Sequence, residues 1–111
     1  MQRTIDAWGD AFLNRVFTPD ELAYARARKN TTHHIAARFA VKEAVAKAMA
    51  TGWSGDFRWK NIEVVNDSSG KPSVRLHGRA RNILEGNSVF ISISHSESVV
   101  VAMAIIEATK S

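Results

Sequence analysis

The chain has 111 residues, 45% of them apolar, with a formal charge of +4 at neutral pH and a sequence pI near 9.9. That length fits one small globular domain over residues 1–111, and the modest, dispersed excess of cations favours an anionic partner without naming it. The lack of cysteine excludes disulfides and thiolate metal sites and suits a reducing cytoplasm, while no apolar run approaches the roughly 18 residues of a membrane span.

In chain order, the opening residues MQRTIDAWGD lack the charged-then-apolar order of a signal peptide. Ile5, Trp8, Phe12, Leu13 and Val16 recur at spacings of three and four, which predicts an amphipathic helix despite Gly9. Thr18-Pro19-Asp20-Glu21 is a helix start with a capping threonine, proline at the first helical position and glutamate three residues after the cap. It predicts a helix over residues 19–29. A third, central helix is expected over residues 32–51, with Ile35, Phe39, Val45, Ala46 and Met49 on its core face and Gly52 as its stop. After the loop TGWSGDFRWK the period changes to two. Ile62 and Val64, then Val74 and Leu76, flank Asp67-Ser68-Ser69-Gly70 and predict a β-hairpin. Residues 79–84 suit a short helix, and SVFISIS and VVVAMAIIE read as a second antiparallel pair joined at His95-Ser96-Glu97. The order helix-helix-helix-hairpin-helix-hairpin defines an α+β fold, with an antiparallel sheet packed on the long central helix.

The charges of RFAVKEAVAKAMATG carry the first candidate site. Glu43 and Lys47 are four apart in the favourable order for a surface ion pair, worth about 0.2 to 0.5 kcal/mol. Arg38 and Lys42, also four apart, repel unless an anion lies between them. A solvated face explains the pattern, but alanines at 36, 40, 44 and 48 form a small-residue stripe that would admit another backbone. A carboxylate among three cations also suits a divalent metal bound to a polyphosphate.

Ser92-Ile93-Ser94-His95-Ser96 is the second candidate, at a strand end where alternation separates Ser92 and Ser94 from Ile91 and Ile93. A turn histidine is the simple account; a hydrogen bond from His95 to a phosphate or base edge is the functional one. In Gly70-Lys71-Pro72, the glycine and proline are explained by the turn, and Lys71 could reach a phosphate, although the spacing of a P-loop is absent. His33 and His34 are expected to face different directions, against a shared metal. Arg26, Arg28 and Lys29 suit the negative end of a helix dipole, and Trp8, Trp53 and Trp59 suit core or loop anchors.

Taken together and in this order, RFAVKEAVAKAMATG, IEVVNDSSGKPSVRLHGRA and SISHSESVVVAMAIIE resemble the holo-acyl-carrier-protein synthase family of 4'-phosphopantetheinyl transferases, and the likeness extends upstream through WGDAFLNRVFTPDEL. The resemblance implies that fold. It also implies Mg2+-dependent transfer of phosphopantetheine from coenzyme A to a serine of an apo acyl carrier protein, with release of 3',5'-ADP, in fatty acid biosynthesis. On the matching positions, Glu43 would be the Mg2+ ligand and, with Lys47, catalytic. Arg38, Lys42, Lys47, Gly70, Lys71, Pro72, Ser94 and His95 would bind coenzyme A. Arg3 and Arg15 would dock the acidic carrier protein, raising the association rate. The family is typically a homotrimer with active sites between subunits, which would account for the alanine stripe.

One departure bears on activity. The family's opening Gly-x-Asp strand supplies a second carboxylate to Mg2+, and an arginine follows six residues later; Arg3 matches that arginine, which would put the aspartate before Met1. Two accounts stay open: the sequence starts late, or the second carboxylate is lost, in which case weaker metal binding and impaired activity are expected. The alternatives are a non-catalytic paralogue that binds coenzyme A or the carrier protein and, from net charge alone, a nucleic-acid-binding module.

Overall fold

The computed structural model describes residues 2–49, 58–96 and 99–108, with the side chains of residues 2–8 and 95 outside that description. Along the described chain the elements are α1 (Gln2–Val16), α2 (Pro19–Arg26), α3 (Thr31–Ala48), a 3-10 turn (Trp59–Asn61), β1 (Ile62–Asn66), β2 (Pro72–Leu76), α4 (Gly78–Ile83), β3 (Asn87–His95) and β4 (Val100–Ala108). This is the expected α+β order.

Local chemistry breaks α1 and bounds α2. Gly9 adopts φ 73° and ψ 171°, so α1 is two helical pieces joined at a break. A Cβ at Gly9 would meet nothing within 4 Å; the positive φ, not crowding, calls for glycine. The start of α2 is the predicted capping box, with the Thr18 hydroxyl accepting from Glu21 N and the Glu21 carboxylate accepting from Thr18 N. Its end comes at Arg26 rather than Lys29, because Arg28 N turns back to Ala25 O at 3.2 Å and the Thr31 hydroxyl donates to Arg28 O. Arg28 then lies over the Tyr24 ring, 3.4 Å from its centroid. The expected stop of α3 at Gly52 lies outside the described residues, as does Trp53.

The buried stripe of α3 is Ile35, Arg38, Val41, Lys42 and Val45, continuing to Met49. Two cations therefore occupy the core side of the helix, where the sequence pattern placed only apolar residues. Phe39 and Ala46 pack at the margins of the core instead. At its N-terminal half α3 meets Leu13, Val16, Phe17, Leu22 and Ala25 from the first two helices, with Trp59 against Phe39 at 5.4 Å between ring centroids. Its C-terminal half, through Val41, Val45 and Met49, meets Ile62, Val64, Ala80 and Leu84.

The strands form two antiparallel ribbons, β1-β2 and β3-β4, rather than one continuous sheet. Val64 faces Val74 in the first, and Phe90 faces Ile105 in the second. In the second ribbon Val89, Ile91, Ile93, Ala102, Ala104 and Ile106 pack on the α3 core. The opposite face leaves Phe90, Val101, Met103 and Ile105 more than half exposed.

Candidate active site

The turn between β1 and β2 is fixed by its own side chains. Asp67 Oδ1 accepts from Ser69 N (2.9 Å), Ser69 Oγ (2.6 Å) and Lys71 N (2.9 Å), while Gly70 N donates to Asp67 O (2.9 Å). These bonds, the Ser69 hydroxyl first, hold the Asp67 carboxyl below its ordinary pKa. Gly70 takes φ 90°, so a positive φ is met by glycine where the chain enters Lys71-Pro72.

This turn faces Arg38 across a cavity of about 410 Å³, lined also by Tyr24, Asn30, His33, His34, Asn66 and Ser92. Arg38 is 4% exposed, and its guanidinium stacks on Tyr24 at 4.2 Å from the ring centroid. Its Nη2 donates to Asn66 Oδ1, and its Nη1 makes a long bond to His34 O at 3.4 Å. Burial lowers the Arg38 pKa from its ordinary value, against the opposing pull of Tyr24 and Glu21. The Nε–H, also buried, has no hydrogen-bond partner among the described residues. A cation with an unused donor, a lysine and two histidines around one cavity suit a phosphorylated ligand. His33 and His34 both border the cavity, and His34 sits edge-on to Tyr24 at 5.7 Å.

Lys42 requires a correction. It is fully buried, with Nζ 2.9 Å from Glu21 Oε1, 3.1 Å from Trp59 O and 2.5 Å from Ile62 O. An ammonium has three donors, and all three are used inside the protein, so Lys42 is a structural lysine and not a contact to coenzyme A. Burial lowers its pKa, with Glu21 pulling the other way. The like charges at positions 38 and 42 thus take separate partners on α2 and β1, and no anion is needed between them.

Glu43 and Lys47 lie elsewhere on α3. At about 100° per residue, they sit about 140° and about 180° around the helix from Arg38. Glu43 is half-buried and Lys47 exposed, and neither has an ion-pair partner among the described residues, so the possible surface pair between them does not form. Ser94 is exposed near the end of β3; His95 ends that strand, and its side chain, like that of Arg3, lies outside the described residues. Arg15 is exposed in the last turn of α1.

Sequence reasoning missed Tyr24 and Asn66. Tyr24 looked like an unremarked helix residue, and the only signal for Asn66 was a polar side chain closing an apolar alternation beside a turn.

The 4'-phosphopantetheinyl transferase superfamily model matches residues 1–104. A holo-[acyl-carrier-protein] synthase of Solibacter usitatus is 41% identical over 96% of this chain and 88% of its own length. The crystal structure of the holo-[acyl-carrier-protein] synthase from Neisseria meningitidis superposes with a TM-score of 0.79 at 34% identity, covering 96% of this chain and 87% of that one. A holo-(acyl-carrier-protein) synthase from Bacillus anthracis, solved in complex with CoA (3',5'-ADP), superposes with a TM-score of 0.76 at 33% identity, covering 96% and 85%. The chain belongs to the holo-[acyl-carrier-protein] synthase family of 4'-phosphopantetheinyl transferases.

Proposed function

We propose that the chain transfers 4'-phosphopantetheine from coenzyme A to a serine of an apo acyl carrier protein, with Mg2+, releasing 3',5'-ADP. The observation that carries this reading is the cavity that joins Arg38 of α3 to Gly70-Lys71-Pro72 of the first hairpin, with a buried guanidinium N–H that has no hydrogen-bond partner among the described residues. The relative from Bacillus anthracis, whose structure holds CoA (3',5'-ADP), supports the choice of ligand.

In the reaction, the serine oxygen forms a bond to the phosphorus that carries pantetheine. The bond from that phosphorus to the bridging oxygen breaks, the bonding pair leaves with 3',5'-ADP, and the serine proton passes to a base. Arg38 and Lys71 hold nucleotide phosphates, and Ser94 and His95 border the same ligand. Lys47 neutralises charge on the pyrophosphate, and Glu43, directly or through a water, takes the serine proton. Glu43 is half-buried with no ion-pair partner among the described residues, and those residues hold no cluster of three acidic or histidine side chains. Mg2+ keeps several waters and is held by one or two carboxylates together with substrate phosphates, a demand that the single carboxylate of Glu43 can meet. Glu43 would hold the ion, which when bound neutralises charge developing on the phosphate oxygens.

Because Glu43 and Arg38 lie on different sides of α3, one chain presents two half-sites. A homotrimer with active sites between subunits brings unlike halves together, and the exposed apolar face of β3-β4 offers a surface for that assembly. Arg3 and Arg15 dock the carrier protein. No helix among the described residues is long and apolar enough to cross a membrane. The proposed transfer takes place in the cytoplasm, in fatty acid biosynthesis.

Intact-mass measurement of an apo carrier protein incubated with coenzyme A, Mg2+ and this chain tests the reading. The expected result is a gain of one phosphopantetheine that needs Mg2+ and is lost in Glu43→Ala. No adduct, with coenzyme A still bound equally well without Mg2+ and by Glu43→Ala, would show a binding protein instead.

A further inference from the structure

Asn66 ends β1, half-buried, and its amide is used on both sides. Its Oδ1 accepts from Arg38 Nη2, and its Nδ2 donates to Gly70 O at 2.9 Å. A guanidinium only donates and a carbonyl only accepts, so a single orientation of the amide satisfies both. Aspartate could not substitute, since it would set an oxygen against Gly70 O. The turn does not depend on this amide for its shape, because Asp67 already binds Ser69 and Lys71. Arg38, by contrast, depends on it. Beside its contact with Tyr24, its Nη1 makes only the long 3.4 Å bond to His34 O, and its Nε–H has no hydrogen-bond partner among the described residues.

We propose that Asn66 is a positioning residue that ties the Arg38 guanidinium to the Gly70-Lys71-Pro72 turn, and so sets the affinity for the phosphates of coenzyme A. The proposal rests on the functional reading above. It assigns to Asn66 no contact with the reacting atoms; its effect passes through Arg38. A cation held at a fixed distance from the turn meets the ligand without first being ordered, which is where affinity is gained.

The test is a double-mutant cycle read by calorimetry with coenzyme A, using Asn66→Ala and Arg38→Met, which keeps an unbranched apolar stem and removes the guanidinium. Loss of one charge-assisted hydrogen bond predicts about tenfold weaker binding for Asn66→Ala in the wild-type background. In the Arg38→Met background the same change should cost nothing further. Turnover at saturating coenzyme A should stay within about twofold of wild type, since only binding is affected. Asn66→Asp should bind more weakly than Asn66→Ala. Equal weakening in both backgrounds overturns the proposal, because Asn66 would then act without Arg38. A wild type that binds and an Asn66→Ala that binds equally well overturns the proposal alone; a wild type that does not bind coenzyme A overturns the functional reading with it. Thermal melting checks the fold of each variant. Should Asn66→Ala melt early, Asn66→Ser carries the same comparison with the same outcomes.

Discussion

Lys42 and Arg38 show how one spacing on a helix produces two different fates. Both lie on the buried side of α3, yet Lys42 closes its three donors on Glu21 and two backbone carbonyls, while Arg38 keeps a donor unused beside the cavity. Their charge was legible in the sequence, and the difference was not, because it is set by Glu21, Trp59, Ile62 and Asn66 in other elements. Lys42→Met should remove a buried ion-pair partner and leave the Glu21 carboxylate uncompensated, at a cost of about 3 to 5 kcal/mol. Urea unfolding measures it, and a loss below about 1 kcal/mol, the worth of an exposed pair, would contradict the structural role.

Among the elements, α2 was the most legible start, since capping needs only neighbours in sequence. What lay hidden is that the cap continues into the sheet. The Thr18 hydroxyl donates to Glu63 Oε2 at 2.7 Å, and Glu63 Oε1 lies 2.9 Å from His77 Nε2, so one buried carboxylate joins the start of α2 to both strands' ends. Burial pushes the Glu63 carboxyl up, but the bonds from His77 and Thr18 outweigh it and leave its pKa below the ordinary 4.5. An unfolded chain takes up this proton near pH 4.5, and the folded chain only at lower pH. Its contribution is therefore complete above the unfolded value and lost as pH falls through the folded one. Urea midpoints followed from about pH 6 to about pH 3 should drop on the acid side, and less steeply in Glu63→Gln. An unchanged acid limb in that variant would assign the loss to other groups.

At the scale of the whole molecule, alternation along β3 and β4 was readable and correctly separated Ile91 and Ile93 from Ser92 and Ser94. Both predicted strand pairs form, but their separation into two ribbons was not readable, because periodicity says which face a residue takes and nothing of whether two hairpins join edge to edge. The outer face of the second ribbon is apolar without being covered, with Phe90 54% and Met103 59% exposed. If copies of the chain assemble there, as proposed, Met103→Glu sets a charge into the contact and should shift the protein from trimer to monomer in light scattering, with transfer falling by at least about tenfold. A variant that stays trimeric and fully active would place the interface elsewhere.

The fit of Glu21 has a consequence for how the chain reaches this fold. One of its oxygens caps α2 and the other accepts from Val64 N at 2.9 Å, 43 residues along the chain. An eight-residue helix is too short to persist alone in water, and here its first turn shares a carboxylate with a strand that is made later in the sequence. The loop closed by that bond contains all of α3. The bonds of Glu21 are therefore complete only when β1 is seated against the start of α2, so the two elements support each other across a long loop whose closure costs entropy.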